Sequence, residues 1–199
     1  KDQNGTVPID PATTDSITTI IVTDDARHGY PGSTFSGSLS YFYDNNRVFR
    51  IGPHTSKRIM NRAMEAARKG DAVVAGVFVR FGSYKGRLNL PEPLSNFMED
   101  LLQVNRPVAT VGFGTPYLLR YFPEADTYMT TYSASENAQR AAVQGLIGNN
   151  KLAGKLPIDL PSGYAFGHGM ERDKITTAWD KQPAPAAFER VRKLVQTAI

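Results

Sequence analysis

Asp24, Asp25 and His28 place three oxygen or nitrogen donors close together, the most metal-like grouping in the sequence. Directly after an apolar run, such a cluster could hold a divalent ion and activate a water for hydrolysis. No spacing elsewhere marks the further ligand that such a site would need. The same residues suit a solvated turn after a strand, with an aspartate accepting backbone N–H groups. That reading is preferred, and no metal ligand is assigned. His54 and His168 stand alone beside Pro53 and Gly167, where turn or packing roles suffice.

Cleavage of a glycoside needs two carboxylates facing each other across a sugar. Asp24, Asp25, Glu92, Glu124, Asp126 and Glu136 are available, but no pattern makes any two of them converge. Glu136 follows Ser133 at the spacing of a capping box, and Glu92 lies between two prolines. Nucleotide chemistry is also unsupported. Gly112–Tyr117 reads GFGTPY, not G-x-G-x-x-G, and Pro116 has no amide to offer a phosphate. G-x-S-x-G is absent, and Ser33, Ser36 and Ser38 sit in a glycine-rich stretch with no ordered triad. There is no cysteine, which excludes thiolate chemistry and a disulfide framework and disfavours structural zinc. No catalytic, cofactor-binding or metal-binding residue is therefore assigned, and no cofactor is expected.

Two further groupings suit surfaces. Lys57, Arg58, Arg62, Arg68 and Lys69, opposed by Glu65, have the spacing of one wet helix face. The net charge of +4 is spread too evenly for a nucleic-acid partner. The aromatics Tyr30, Phe35, Tyr41, Phe42 and Tyr43 could stack on sugar rings or cover a sheet edge or interdomain face, and packing is preferred.

The elements that would position these residues alternate between two periods. Ser16–Thr23, Arg47–Ile51, Asp71–Val79, Val108–Phe113 and Asp126–Tyr132 read as strands, most of them continuously apolar or β-branched. Leu156–Leu160, flanked by Pro157 and Pro161, reads as a short edge strand. Ile59, Met60, Ala63, Met64 and Ala67 form one helical stripe, with Ser56 as N-cap and Gly70 as C′ residue. A second helix carries Leu94, Phe97, Met98, Leu101 and Leu102, with Ser95 near its start. A third runs from the Ser133/Glu136 box to Gly148. Residues 27–46 suggest an irregular excursion or short hairpin, and 1–15 a linker. Residues 16–170 make the domain, and 171–199 form a polar linker and terminal helix. This order predicts a three-layer α/β sandwich: a mostly parallel sheet of five or six strands with helices on both faces. Ligands would gather beyond the carboxyl ends of the strands, at 24–30, 80–91, 112–118 and 133–136. No apolar run is long enough to cross a membrane, and Lys1–Pro11 lacks the core of a signal peptide.

Several segments together resemble the C-terminal α/β sandwich domain of family 3 glycoside hydrolases, in particular the bacterial β-N-acetylhexosaminidase-like branch. They are the Gly114-Thr115-Pro116 turn, the helix carrying Ser135, Glu136, Gln139, Arg140, Ala141 and Ala142, the Gly154–Pro157 return and the closing Phe166–Gly169. With a weaker match at Val74–Pro91, the resemblance spans about residues 16–170. It implies a partner: an N-terminal (β/α)8 barrel that carries the nucleophilic aspartate. Some branches place an acid/base carboxylate on the loop before Leu88–Pro91. Here that loop is Phe81–Arg87, FGSYKGR, without an acid. This suits the branch in which a histidine–aspartate pair of the barrel does that work. Lys85 or Arg87 near a sugar is the most the resemblance offers this chain. Residues 184–199 are similar to the opening helix of a serine β-lactamase-like domain, which implies a possible fusion partner there.

Three functions follow as expectations. The first is a non-catalytic accessory domain of such a hydrolase, acting on β-linked N-acetylhexosaminides or β-glucosides. The second is an independent carbohydrate-binding module that uses the aromatics at 30–43. The third is a small metal-dependent hydrolase built on Asp24, Asp25 and His28. Export to a bacterial periplasm or exterior would suit a parent enzyme that processes glycans.

Overall fold

In the computed structural model, residues 1–24, 31–79, 90–161 and 163–175 are described. Five parallel strands form one sheet in the order β2-β1-β3-β4-β5. They are β1 (Ser16–Thr23), β2 (Asn45–Ile51), β3 (Ala72–Phe78), β4 (Val108–Phe113) and β5 (Thr127–Thr131). β3 and β4 are buried at every position, the pattern of strands covered on both faces. Helix α2 (Lys57–Lys69) and α3 (Glu92–Leu102) cover one face. Helix α1 (Ser33–Phe42) and α4 (Glu136–Leu146) cover the other. The expected three-layer sandwich is observed, with five strands.

Each face packs a core whose members alternate along the strands. Val73, Ala75 and Val77 meet Met64, Leu94, Met98 and Leu101 on one side. Ala72, Val74 and Phe78 meet Phe35, Leu39, Val143 and Leu146 on the other. Each fully buried Leu or Phe contributes roughly 1.5–3 kcal/mol, so the two layers together dominate stability.

The largest departure from expectation is α1. The run STFSGSLSYF is a helix, not an excursion or hairpin, because Phe35 and Leu39 fall four apart on its buried face. The polar Ser and Gly positions between them hide that stripe. Gly32 enters the helix at φ 74°, and a Cβ there would lie 2.7 Å from Phe78. Only glycine satisfies both conditions.

Smaller corrections concern Leu156–Leu160, the helix caps and the start of the chain. Leu156–Leu160 joins no sheet. Isolated antiparallel bridges instead pair Leu152 with Arg172 and Leu160 with Tyr164. Pro157 and Pro161 remove ladder donors, so the segment folds back on Tyr164–Arg172. The N-cap of α4 is Ser135, whose hydroxyl accepts from Ala138 N–H at 3.3 Å. Glu136 is the first helical residue, so Ser133 and Glu136 form no capping box. Gly70 ends α2 in extended geometry (φ −70°) and not as a left-handed C′ residue. The next amide, that of Asp71, bonds at once to Ser16 O. Ser56 sits at the N-cap of α2 but makes no side-chain cap bond. Residues 1–15 hold no helix or named strand, yet Val7 and Ile9 are buried, and Tyr43 OH donates to Ile9 O at 2.6 Å. The terminal stripe at 184–199 lies outside the described residues.

Candidate functional site

The strand order reverses direction between β1 and β3. The helix that follows β1 packs on one face of the sheet, and the helix that follows β3 packs on the other. Connections leaving two adjacent strands for opposite faces open a crevice beyond their carboxyl ends, where ligands of open α/β sheets bind. Asp24 is the last described residue after β1, and Val79 and Leu90 border the loop after β3. Asp25, His28 and the loop containing Lys85 and Arg87 lie outside the described residues.

The remaining candidates do not converge. Among the described residues, no group of three His, Cys, Asp or Glu comes together to hold a metal. Glu136 is exposed and bonds Arg140 at 3.1 Å, and Glu92 is an exposed first residue of α3. Glu124 and Asp126 lie before β5, at the opposite end of the sheet from the crevice. Asp126 accepts from Asn4 Nδ2 at 2.6 Å. His54 is exposed in a turn. His168 packs tilted against Tyr164, with ring centroids 4.7 Å apart, beside the edge of β5. The basic side chains of α2 face solvent, with Lys69 on Glu65 at 2.6 Å. Of the aromatics, Tyr30 lies outside the described residues, Phe35 is packed edge-on to Phe113 at 5.1 Å, Tyr43 is buried and Tyr41 is exposed. Burial pushes the Tyr43 phenol well above its usual value.

A second concavity runs along the outer edge of β5. It is an apolar groove of about 320 Å³ between that strand and the folded-back segment 152–172. Its lower end is closed by the start of the chain. Lys1 exchanges both backbone bonds with Tyr128, and Gln3 N–H donates to Asp126 O, giving a short antiparallel ladder. Asp2, 7% exposed, fixes that end. One carboxylate oxygen accepts from Thr127 Oγ1 and Thr6 N–H, each at 2.8 Å, and the other from Arg172 Nη2 at 2.8 Å and Nε at 3.1 Å.

The inner wall of this edge is polar in an unusual way. Among the described residues, Thr110 Oγ1, Tyr128 OH and Thr130 Oγ1 are the buried side-chain atoms without a hydrogen-bond partner. Thr110 pairs with Tyr128 and Gly112 with Thr130 in the parallel register, so all three hydroxyls share one face of β4 and β5. The Tyr128 ring lies across Gly112, where a Cβ would collide with the phenol oxygen and sit 2.9 Å from Cζ. Burial raises the Tyr128 ionisation well above the ordinary range, so the phenol stays neutral.

Sequence reasoning missed three structural ties. Besides Asp2 and Arg172, buried Gln139 accepts from Phe35 N–H at 2.9 Å and donates to Ala134 O at 2.8 Å, joining α4 to the first turn of α1. Its position among alanines on a helix gave no sign of this.

Fold and site together define a three-layer α/β sandwich with a switch-point crevice and, among the described residues, no paired carboxylates beside it. No family model matches the chain. It is similar to the periplasmic β-glucosidase of Salmonella typhimurium: 25% identical over 132 residues, 63% of this chain and 17% of that protein. In structure it is similar to a fungal multi-domain GH3 β-N-acetylglucosaminidase, with TM-score 0.68 and 22% identity, covering 84% of this chain and 18% of that one. A β-glucosidase from Listeria innocua gives TM-score 0.66 at 16% identity, covering 82% and 25% of the two chains. A β-glucoside phosphorylase gives 0.59 at 24%, covering 82% and 29%. These structural likenesses establish a shared fold, and the chain spans less than a third of each protein.

Proposed function

We propose that this chain is the accessory α/β sandwich domain of a family 3 glycoside hydrolase, which packs against a (β/α)8 barrel and helps shape its sugar cleft. The observation that carries this reading is the match of most of the chain to a small part of a much longer β-glucosidase. The switch in strand order between β1 and β3 supports it, because ligands of open α/β sheets gather beyond the carboxyl ends of the strands at such a point. In this reading the barrel supplies both the nucleophilic aspartate and the acid/base pair that hydrolyse the glycosidic bond. This chain supplies shape and, from Lys85 or Arg87, positive charge. The acid-free run Phe81–Arg87 favours β-N-acetylhexosaminides, whereas the Salmonella relative favours β-glucosides.

Three finer parts belong to the same proposal. The resemblance at 184–199 supports a β-lactamase-like domain beyond the sandwich. The relative's name supports a periplasmic location, and among the described residues no helix is long and apolar enough to cross a membrane. Burial of Phe35 and Tyr43 argues against a separate carbohydrate-binding module built on residues 30–43.

The test is hydrolysis of 4-nitrophenyl N-acetyl-β-glucosaminide and the matching β-glucoside, by this chain alone and by its parent polypeptide. Release of 4-nitrophenol by the parent only is expected, and the preferred substrate selects the branch. Turnover by the 199-residue chain alone would overturn the accessory role, with Asp24, Asp25 and His28 then the first residues to substitute.

A further inference from the structure

The excess positive charge of the chain lies on one helix. Five of the 23 basic residues and one of the 19 acidic ones belong to α2, so the other 18 basic and 18 acidic residues cancel. The even spread expected from sequence holds for the rest of the chain and fails here. Arg58, Arg62, Glu65 and Lys69 are exposed and fall three or four residues apart, in one stripe roughly 16 Å long. Arg47 widens it from the edge strand. It shares the α2 side of β2 with Phe49. The Glu65 carboxyl is held below its usual value by the bond from Lys69 first, and also by the nearby charges of Arg47 and Arg62.

This surface breaks the rules that stabilise an isolated helix. The first turn of α2 carries Lys57 and Arg58 but no acid, against the helix dipole, and Ser56 makes no side-chain cap bond. Arg58 and Arg62 are like charges one turn apart, which repel. Glu65 is taken by Lys69. Among the described residues, Arg47, Arg58 and Arg62 have no hydrogen-bond or ion-pair partner. Repulsion kept without a local remedy marks a surface set for an outside partner.

We infer that the ridge of Arg47, Arg58, Arg62 and Lys69 binds a carboxylate-bearing polysaccharide laid along α2. The choice of a glycan rests on the reading that the parent enzyme acts on glycans. Guanidinium forks take carboxylates through two parallel hydrogen bonds, and three of the four cations are arginines. Cations standing in line on an open surface suit a repeating polyanion better than a single small anion. A bilayer fits less well, because the apolar stripe of α2, Ala63, Met64 and Ala67, is packed in the core. Nucleic acid also fits less well. Among the described residues, no exposed aromatic stands beside these cations for a base to stack on. α2 runs back from the carboxyl ends of the strands, so the ridge starts at the rim that also holds the crevice.

The test titrates the 199-residue chain with polygalacturonate, which has a carboxylate on every sugar, and with its fully methyl-esterified form, which has none. Calorimetry at about 50 mM salt is expected to show binding of the acid form only, weakened at least about tenfold at about 200 mM salt. Arg58→Gln combined with Arg62→Gln should weaken binding at least about tenfold without lowering Tm, because it removes like-charge repulsion. Arg140→Gln combined with Lys155→Gln removes the same charge from exposed positions elsewhere and should leave Kd within about twofold. No binding of the acid form, equal binding of the ester, or equal losses from the two double variants would overturn the proposal. Tighter binding of duplex DNA or of phosphatidylglycerol vesicles, at equal anion concentration, would overturn it in favour of that partner. None of these measurements depends on glycoside cleavage, so an inactive parent would remove the hydrolase reading and leave the binding result standing.

Discussion

Asp2 and Arg172 meet at 2.8 Å across 170 positions of sequence, and their pairing holds the start of the chain, β5 and the folded-back segment together. The two partners are unequal. Asp2 is almost wholly buried and serves Thr127 and Thr6 as well, whereas the Arg172 side chain is 31% exposed.

Asp2→Ala should therefore cost about 3 kcal/mol, since it removes at once the shared acceptor of the Thr6 amide, the buried Thr127 hydroxyl and the Arg172 guanidinium. Arg172→Ala should cost less, about 1–2 kcal/mol, because Asp2 keeps its other partners. Urea denaturation of both single variants and the double variant checks this, with a coupling of about 1 kcal/mol expected.

Gly112→Ala should destabilise by about 2 kcal/mol, because the new methyl displaces the Tyr128 phenol from a packed face. Tyr128→Phe should be neutral or slightly stabilising, since it removes a buried hydroxyl that has no partner. Combined with Gly112→Ala it should recover part of the loss. Thermal melts of the three variants suffice.

Gln139→Ala should cost about 2 kcal/mol by leaving the buried Phe35 amide unsatisfied at the start of α1. Gln139→Met, similar in size, should cost nearly as much. A small effect from Met and a large one from Ala would assign the contribution to volume instead. Denaturant midpoints decide between them.

The Lys1 ammonium predicts a pH dependence. Its folded pKa lies below the unfolded value of 8.0, so between the two the unfolded chain binds more protons. Stability contributed by this group is therefore full above about pH 8 and falls as pH drops toward the folded value. Acetylating the amino terminus should flatten that part of the profile, measured as urea midpoints between about pH 6 and about pH 9 with and without the acetyl group.

The sheet was legible in sequence because β3 and β4 are continuous apolar runs, and the stripes of α2 and α3 are unbroken. Reading failed where composition and burial disagree. In α1, serines and glycines occupy every gap between Phe35 and Leu39, so a core helix resembles a loop. In Leu156–Leu160 the apolar pattern is real, but prolines prevent the ladder it suggests, and the side chains wall a groove. The long-range ties through Asp2, Gln139 and Arg172 join positions 104 to 170 residues apart. No local period encodes them. The carboxyl rim could be named from the elements alone, as four segments, whereas the order that singles out β1 and β3 is a property of the folded sheet.

The two margins of the sheet are chemically different. β2 carries Asn45, Asn46, Arg47 and Arg50, and much of it is solvated, the kind of rim that resists further pairing. β5 is bordered by aliphatic walls. Growth of the sheet is thus confined to one side. Two copies meeting through the open half of β5 would close on a two-fold axis and leave their polar β2 rims outward, a geometry that favours a closed pair over an open-ended polymer.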